Sequence, residues 1–241
     1  MELPSVSFLL NSLFTVARVK YGAKMEAWVL LSYRLSSRFN LLAAVQSIQR
    51  EGDLDILLRC LEDEFDPNKV ADGMDFSTHY QMMFSETWVV GCYEILRAFL
   101  QRDREATTVG NPTSGVSEMD EFKSIFADLE LLRMPIAKFE IAKFTKTMHP
   151  LDMHHAGVEE TKPNSPYDSK DPARSHIMPR RLSYRGSVEW CAIDVRNLRQ
   201  HWIERRDLAD RLLSLLDSAE VTGELVAKQN AAAQASTGAQ Q

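Results

Sequence analysis

Apolar residues recur at helical spacing along most of the chain. From Ala23 to Ser37, Trp28, Leu31 and Leu35 fall on one face, with Tyr33 and Arg34 on others. Phe39 to Arg50 continues the pattern with Leu42, Val45 and Ile48. Glu51-Gly52-Asp53 reads as a stop and restart, with Asp53 capping a helix to about Glu64 whose apolar side is Ile56, Leu57, Cys60 and Leu61. Pro67 closes this block. Ser77 to about Leu100 reads as one helix on Trp88, Cys92, Ile95, Leu96 and Phe99, and Gly91 within it leaves room for another helix to approach. Residues 103–117 form a loop by composition. Ser117 and Asp120 make a variant capping box for a helix carrying Phe122, Ile125, Phe126, Leu129 and Leu132. Pro135 is expected to kink or split that helix near Arg133, with the pattern resuming at Ile136 and Phe139.

The period then changes. Residues 149–175 hold four prolines and few large apolar groups, the composition of a long exposed loop. His176-Ile177-Met178 and Arg181-Leu182-Ser183-Tyr184 flank Pro179, which suits an edge strand. Arg185-Gly186 reads as a turn, and Val188, Trp190 and Ala192 alternate with Glu189, Cys191 and Ile193 in a second strand. Asp194 or Asn197 then caps a last helix carrying Trp202, Leu208, Leu212, Leu215 and Leu216. Near the start, Phe8-Leu9-Leu10 and Leu13-Phe14 resemble a signal-peptide core. Glu2 stands where a basic region is needed, however, and Asn11 interrupts the run, so a core helix is expected. The fold class is therefore mainly α, a helical bundle with one small β-hairpin before the last long helix. A single domain spans 1–227, with 1–70 as a candidate N-terminal subdomain and 228–241 as a disordered tail rich in Ala, Gln, Ser and Thr.

Composition changes this picture little. At 241 residues, 44% apolar and 26% charged, the chain has enough apolar surface for a core without metal or disulfide staples. Cys60, Cys92 and Cys191 are scattered, which argues for a reducing, cytoplasmic setting and against cysteine-based zinc. No apolar run is long enough to span a membrane. Charge is more informative. The net charge is −6, yet Arg174 to Arg211 holds nine arginines and five acids, leaving that segment at +4 and the remainder at −10. Such arginines suit an acidic partner, or the acidic remainder of the same protein or of a second copy. Arg180, Arg181, Arg185 and Arg199 are the candidate phosphate- or partner-binding residues.

One segment of this region suggests a reaction. In Arg196-Asn197-Leu198-Arg199-Gln200-His201, a helix beginning at Asp194 would put Asn197 and His201 on one face. Arg196 would then sit in the first turn, beside amides that favour an anion. A phosphate held there, with His201 moving a proton, is an RNA-cleaving arrangement that needs no metal. The segment resembles the R-x4–6-H motif of the HEPN superfamily. That resemblance implies a small α-helical bundle, commonly dimeric, many members being metal-independent RNases of toxin–antitoxin or phage-defence systems and others non-catalytic binding modules. It would make Arg196, Asn197 and His201 the active-site residues. Leu132 to Phe139 resembles the same motif and follows two long helices, but Met134 and Lys138 stand at the Asn and His places. A lysine that keeps its proton near neutral pH is a poor base.

Other clusters have ordinary readings. His149, His154, His155 and His176 lie near Asp152, but adjacent loop histidines rarely form a site without a rigid scaffold, so no metal and no cofactor is assigned. Tyr80, Met82, Met83, Phe84 and Trp88 read as core or helix-packing surface. Glu62, Glu64, Glu86 and Glu94 read as solvated helix faces. Two functions remain. One is a non-catalytic helical interaction protein that uses its Arg-rich C-terminal segment to bind an acidic partner or to self-associate. The other is a HEPN-like RNase.

Overall fold

The computed structural model describes residues 4–66, 68, 76–108, 116–142, 152–153, 165–166, 176–197 and 199–216. Among them are six helices: α1 (Val6–Lys20), α2 (Gly22–Arg38), α3 (Ala44–Asp63), α4 (Ser77–Thr108), α5 (Val116–Lys138) and α6 (Arg205–Ser214). Two short strands pair antiparallel, β1 (Asp152–Met153) with β2 (Ser165–Pro166), inside the segment read as a loop. A meander of β3 (Arg180–Leu182), β4 (Val188–Asp194) and β5 (Arg199–Glu204) precedes α6. The protein is mainly α with a small antiparallel sheet before its last helix, as the hydrophobic pattern predicts.

Ser5 caps α1, its Oγ accepting from the Phe8 amide at 3.2 Å. The expectation of a core helix is nevertheless overturned, because Ala17 is the one buried residue of α1. Phe8, Leu9, Leu10 and Leu13 are all exposed. α2 buries Trp28, Leu31 and Leu35 as its spacing demands. Past its C-cap Phe39 the chain turns at Asn40, whose φ of 49° is one that asparagine tolerates. The same turn leaves Leu42 exposed rather than in the core.

α3 runs through Glu51-Gly52-Asp53 without a break. Gly52 is there for contact. A Cβ on it would lie 2.6 Å from the Trp28 Cβ, so only glycine lets α2 come this close. Asp53 pairs with Arg18 at 2.9 Å instead of capping. Gly91 plays the same part in α4, where a Cβ would lie 2.6 Å from the Glu51 carboxyl carbon. α4 also extends into the expected loop, as far as Thr108. Its last turns are held locally. Arg102 pairs with Glu105 at 3.3 Å, and the Thr107 and Thr108 hydroxyls donate to carbonyls one turn back. The rest of that loop, 109–115, and the side chains of the expected capping box before Asp120 lie outside the described residues.

α5 passes through Pro135 and is not split at Arg133. The proline sits one turn from the C-terminus, so the missing amide removes a single intrahelical bond. The helix stops at Phe139, with φ 56°, whose N–H still donates to the Pro135 carbonyl at 3.1 Å. Phe122, Ile125, Leu129 and Leu132 are buried as expected.

The first hairpin follows the sequence reading. Gly186 turns it with φ 73°, β4 alternates buried and half-buried residues, and β3 is an edge strand. The second half does not. Residues 199–204, expected to start the last helix, form β5, which pairs Ala192 with His201 and Asp194 with Arg199. Asp194 caps a turn of backbone instead of a helix. Its Oδ1 accepts from the amides of Arg196 at 3.1 Å and Asn197 at 3.3 Å, and its Oδ2 accepts from the Asn197 side chain at 2.6 Å. Trp202 is therefore a strand residue, and α6 begins only at Arg205. The Arg206 amide at that start donates to Ser187 Oγ at 3.1 Å.

One apolar core joins α2, α3, α4, α5, β4 and α6. Trp28 and Trp88 meet edge-on within it, at 6.5 Å between ring centroids. Beside them lies a buried ionic network. Asp55 accepts from Trp28 Nε1 at 2.8 Å, from Arg59 Nε at 2.9 Å and from Arg205 Nη1. Arg205 also forks onto Glu62, at 2.9 and 2.6 Å, with its guanidinium 5.5 Å from the Trp88 ring centroid. Arg59 reaches on to Asp210 at 2.8 Å. Glu62, expected on a solvated face, is thus buried by its pairing with α6.

Candidate functional site

The β4–β5 turn puts Arg196 and Asn197 in solvent. Arg196 makes no side-chain ion pair among the described residues, whereas the Asn197 amide is held by Asp194. Burial of Asp194 disfavours its charge, but the bonds from Asn197 and Arg196 outweigh this and hold its carboxyl below the usual range. An anion arriving at these two amides meets a carboxylate already in place.

His201 lies elsewhere. As the partner of Ala192 it is on the inner face of the sheet, half-buried against α5. Its Nε2 is 3.8 Å from Asp128 Oδ1, and its Nδ1 is buried with no partner. Asp128 also accepts from Arg211 at 2.7 Å, and Arg211 reaches Glu121 at 2.9 Å and Ser124 at 3.0 Å. The helical geometry that would bring Arg196, Asn197 and His201 around one phosphate is replaced by a turn and a strand. The next helix along the chain, α6, begins only after His201, at Arg205.

The other arginines are engaged within the protein. Arg180 pairs with Glu86 and Arg181 with Glu189. The Arg181 guanidinium also lies 4.1 Å from the Trp202 ring centroid. Arg185 bonds Glu204 through Nε at 3.2 Å and again through Nη2, and Arg199 is 3.5 Å from Asp194. With Arg205, Arg206 and Arg211, seven of the nine arginines of the basic segment have an acidic neighbour in the same chain. Arg174 lies outside the described residues.

At the second motif-like segment, Arg133 is 3.4 Å from Glu94 and 5.3 Å from the Tyr93 ring centroid. Lys138 is exposed at the end of α5. Of the loop histidines, His149, His154 and His155 lie outside the described residues. His176 is buried, which lowers its pKa, and its Nε2 has no partner. No cluster of metal-binding side chains occurs among the described residues. The Tyr80–Trp88 stripe divides, with Trp88 in the core and Tyr80 and Met83 exposed.

Two features escaped the sequence reading. The buried network had a signal in Asp55 and Arg59, four apart on one helix, but Glu62 and Arg205 are far apart in the chain. The second feature is Glu51, which lines a small recess with Trp28, Leu31, Leu35 and Cys92. Burial raises its pKa, and the exposed Arg50, 3.1 Å away, only partly offsets this. No protein-family model matches the chain, no curated protein is similar to it, and no solved structure matches its fold.

Proposed function

We propose that this is a helical interaction protein, acting by association rather than by chemistry. The observation that carries this reading is α1, a helix rich in leucine, valine and phenylalanine that buries only Ala17. Exposed apolar surface on that scale marks a contact site. The basic segment contributes less than its composition suggests, because an arginine already bonded to a carboxylate must lose that partner before it binds another. This moves the contact surface from the Arg-rich segment to the first helix. No helix among the described residues is long and apolar enough to cross a membrane.

The rival is a HEPN-like RNase using Arg196, Asn197 and His201. Incubating the purified protein with single-stranded RNA in EDTA separates the two. No cleavage is expected. Metal-independent cleavage that disappears in both Arg196→Ala and His201→Ala would overturn the interaction reading in favour of the RNase.

A further inference from the structure

We propose that the occupant of the α1 surface is a second copy of this chain, the two α1 helices pairing about a twofold axis. This rests on the interaction reading above. Val6, Phe8, Leu9, Leu10, Leu13 and Val16 are 46–72% exposed. On a helical wheel Val6, Leu9, Leu10 and Leu13 share an arc of about 100° with Ala17. Ala17 is where the stripe meets Ile56 and Cys60 of α3, so α3 covers one end of a stripe whose remainder is bare. Phe8 lies on the opposite side. A helix apolar on more than one side needs cover from more than one direction.

The chemistry of that surface selects its partner. The charged residues of α1 are Arg18 and Lys20, and both are tied to α3, at 2.9 Å to Asp53 and 2.7 Å to Asp63. Ser12 and Thr15 donate to their own helix, at 2.8 Å to the Phe8 carbonyl and 2.7 Å to the Asn11 carbonyl. On α1 itself no unpaired cation is left for a lipid headgroup or a nucleic acid, and the helix carries no acid for a basic partner. An identical surface brings no charge to desolvate and meets none. The exposed parts of Val6, Leu9, Leu10, Leu13 and Val16, which share one side, amount to roughly 450 Å² per copy, against about 800 Å² per partner in a standard interface, which fits a weak dimer. The arrangement is isologous, each stripe facing its own twin.

Sedimentation equilibrium of the full chain, over a range of concentrations and at low and high salt, tests this. A monomer–dimer equilibrium is expected. High salt should strengthen it, because screening relieves the repulsion between two chains of net charge −6. Leu9→Glu with Leu13→Glu should weaken the dimer at least about 100-fold. Leu13→Ser, a milder change at an exposed position, should weaken it less while circular dichroism confirms the fold. Arg180→Ala and Arg181→Ala should leave it unchanged. A chain that stays monomeric throughout, or a dimer that survives the glutamate changes, overturns the proposal. So does a dimer that weakens with salt and with loss of the arginines. Binding of the monomer to zwitterionic lipid vesicles in place of dimerisation also overturns it. In each of these cases the interaction reading falls only if RNA is cleaved.

Discussion

α1 and α3 invert the usual relation between sequence and burial. α1 has two charged residues, both near its end, and buries one alanine. α3 carries acids and arginines along its length, yet buries eleven residues, among them Glu51, Asp55, Arg59 and Glu62. The difference lies in what surrounds each helix. α3 is flanked by α1, α2, α4 and α6, and α6 brings Arg205 to neutralise its carboxylates. α1 has one flank on α3 and little else. Burial here follows position in the bundle, and charge is admitted wherever an opposite charge arrives with good geometry.

The largest effect should come from removing one side of that match. Arg205→Met leaves Asp55 and Glu62 buried without their shared partner, and chemical denaturation should show a loss of about 3–5 kcal/mol. A loss below about 1 kcal/mol would mean that water reaches α3. Next is the helix contact. Gly52→Ala drives a methyl into Trp28 and should cost about 1–3 kcal/mol in the same measurement.

Acid sharpens the comparison through sign. Burial works against the charge of Asp55, but Arg205 and Arg59 outweigh it, so its folded pKa lies below the ordinary 3.8. Asp210 is held down in the same way, by Lys24 and Arg59 against its burial. A depressed carboxylate stabilises above its unfolded pKa and loses that contribution as pH falls through the folded value. Melting temperature should therefore drop as pH goes below about 4. Glu51 has the opposite sign. Its pKa is raised, so its contribution is present below the ordinary 4.5 and lost as pH rises through the folded value. Glu51→Gln should stabilise the protein at neutral pH by about 0.5–2 kcal/mol. The smallest effect belongs to α1. Leu9→Ser should leave the stability of the dilute monomer within about 0.5 kcal/mol of the parent. A larger loss would show that α1 is covered within one chain.

The legible parts of the fold are those where one face is apolar and the other polar. Trp28, Leu31 and Leu35 declare α2, and Trp88, Cys92, Leu96 and Phe99 declare α4. Val188, Trp190 and Ala192 declare β4 by alternation. α3 hides because its buried charges are balanced by residues far away in the chain, and because a glycine required for contact looks like a break. Residues 199–204 read as helix rather than strand for a local reason. An aspartate that accepts two forward amides looks alike before a helix and in a hairpin turn. The strand signal of Gln200, Trp202 and Glu204 alternating with His201 and Ile203 is short beside the helical run after it. Read as a helix, Arg196 sits in a first turn ahead of His201, whereas the structure has Arg196 in the β4–β5 turn and His201 on the inner face of β5. The internal pairing of the arginines was anticipated in kind, but not residue by residue.

The Arg205 link also sets an order of events during synthesis. Asp55 and Glu62 leave the ribosome some 143–150 residues before the arginine that neutralises them. Until α6 emerges, α3 carries carboxylates that an apolar interior rejects, so the nascent helices stay open to water and to chaperones. A prematurely terminated product lacking α6 would keep that defect permanently and fall to proteolysis. α6 thus closes a charge balance that α3 opens.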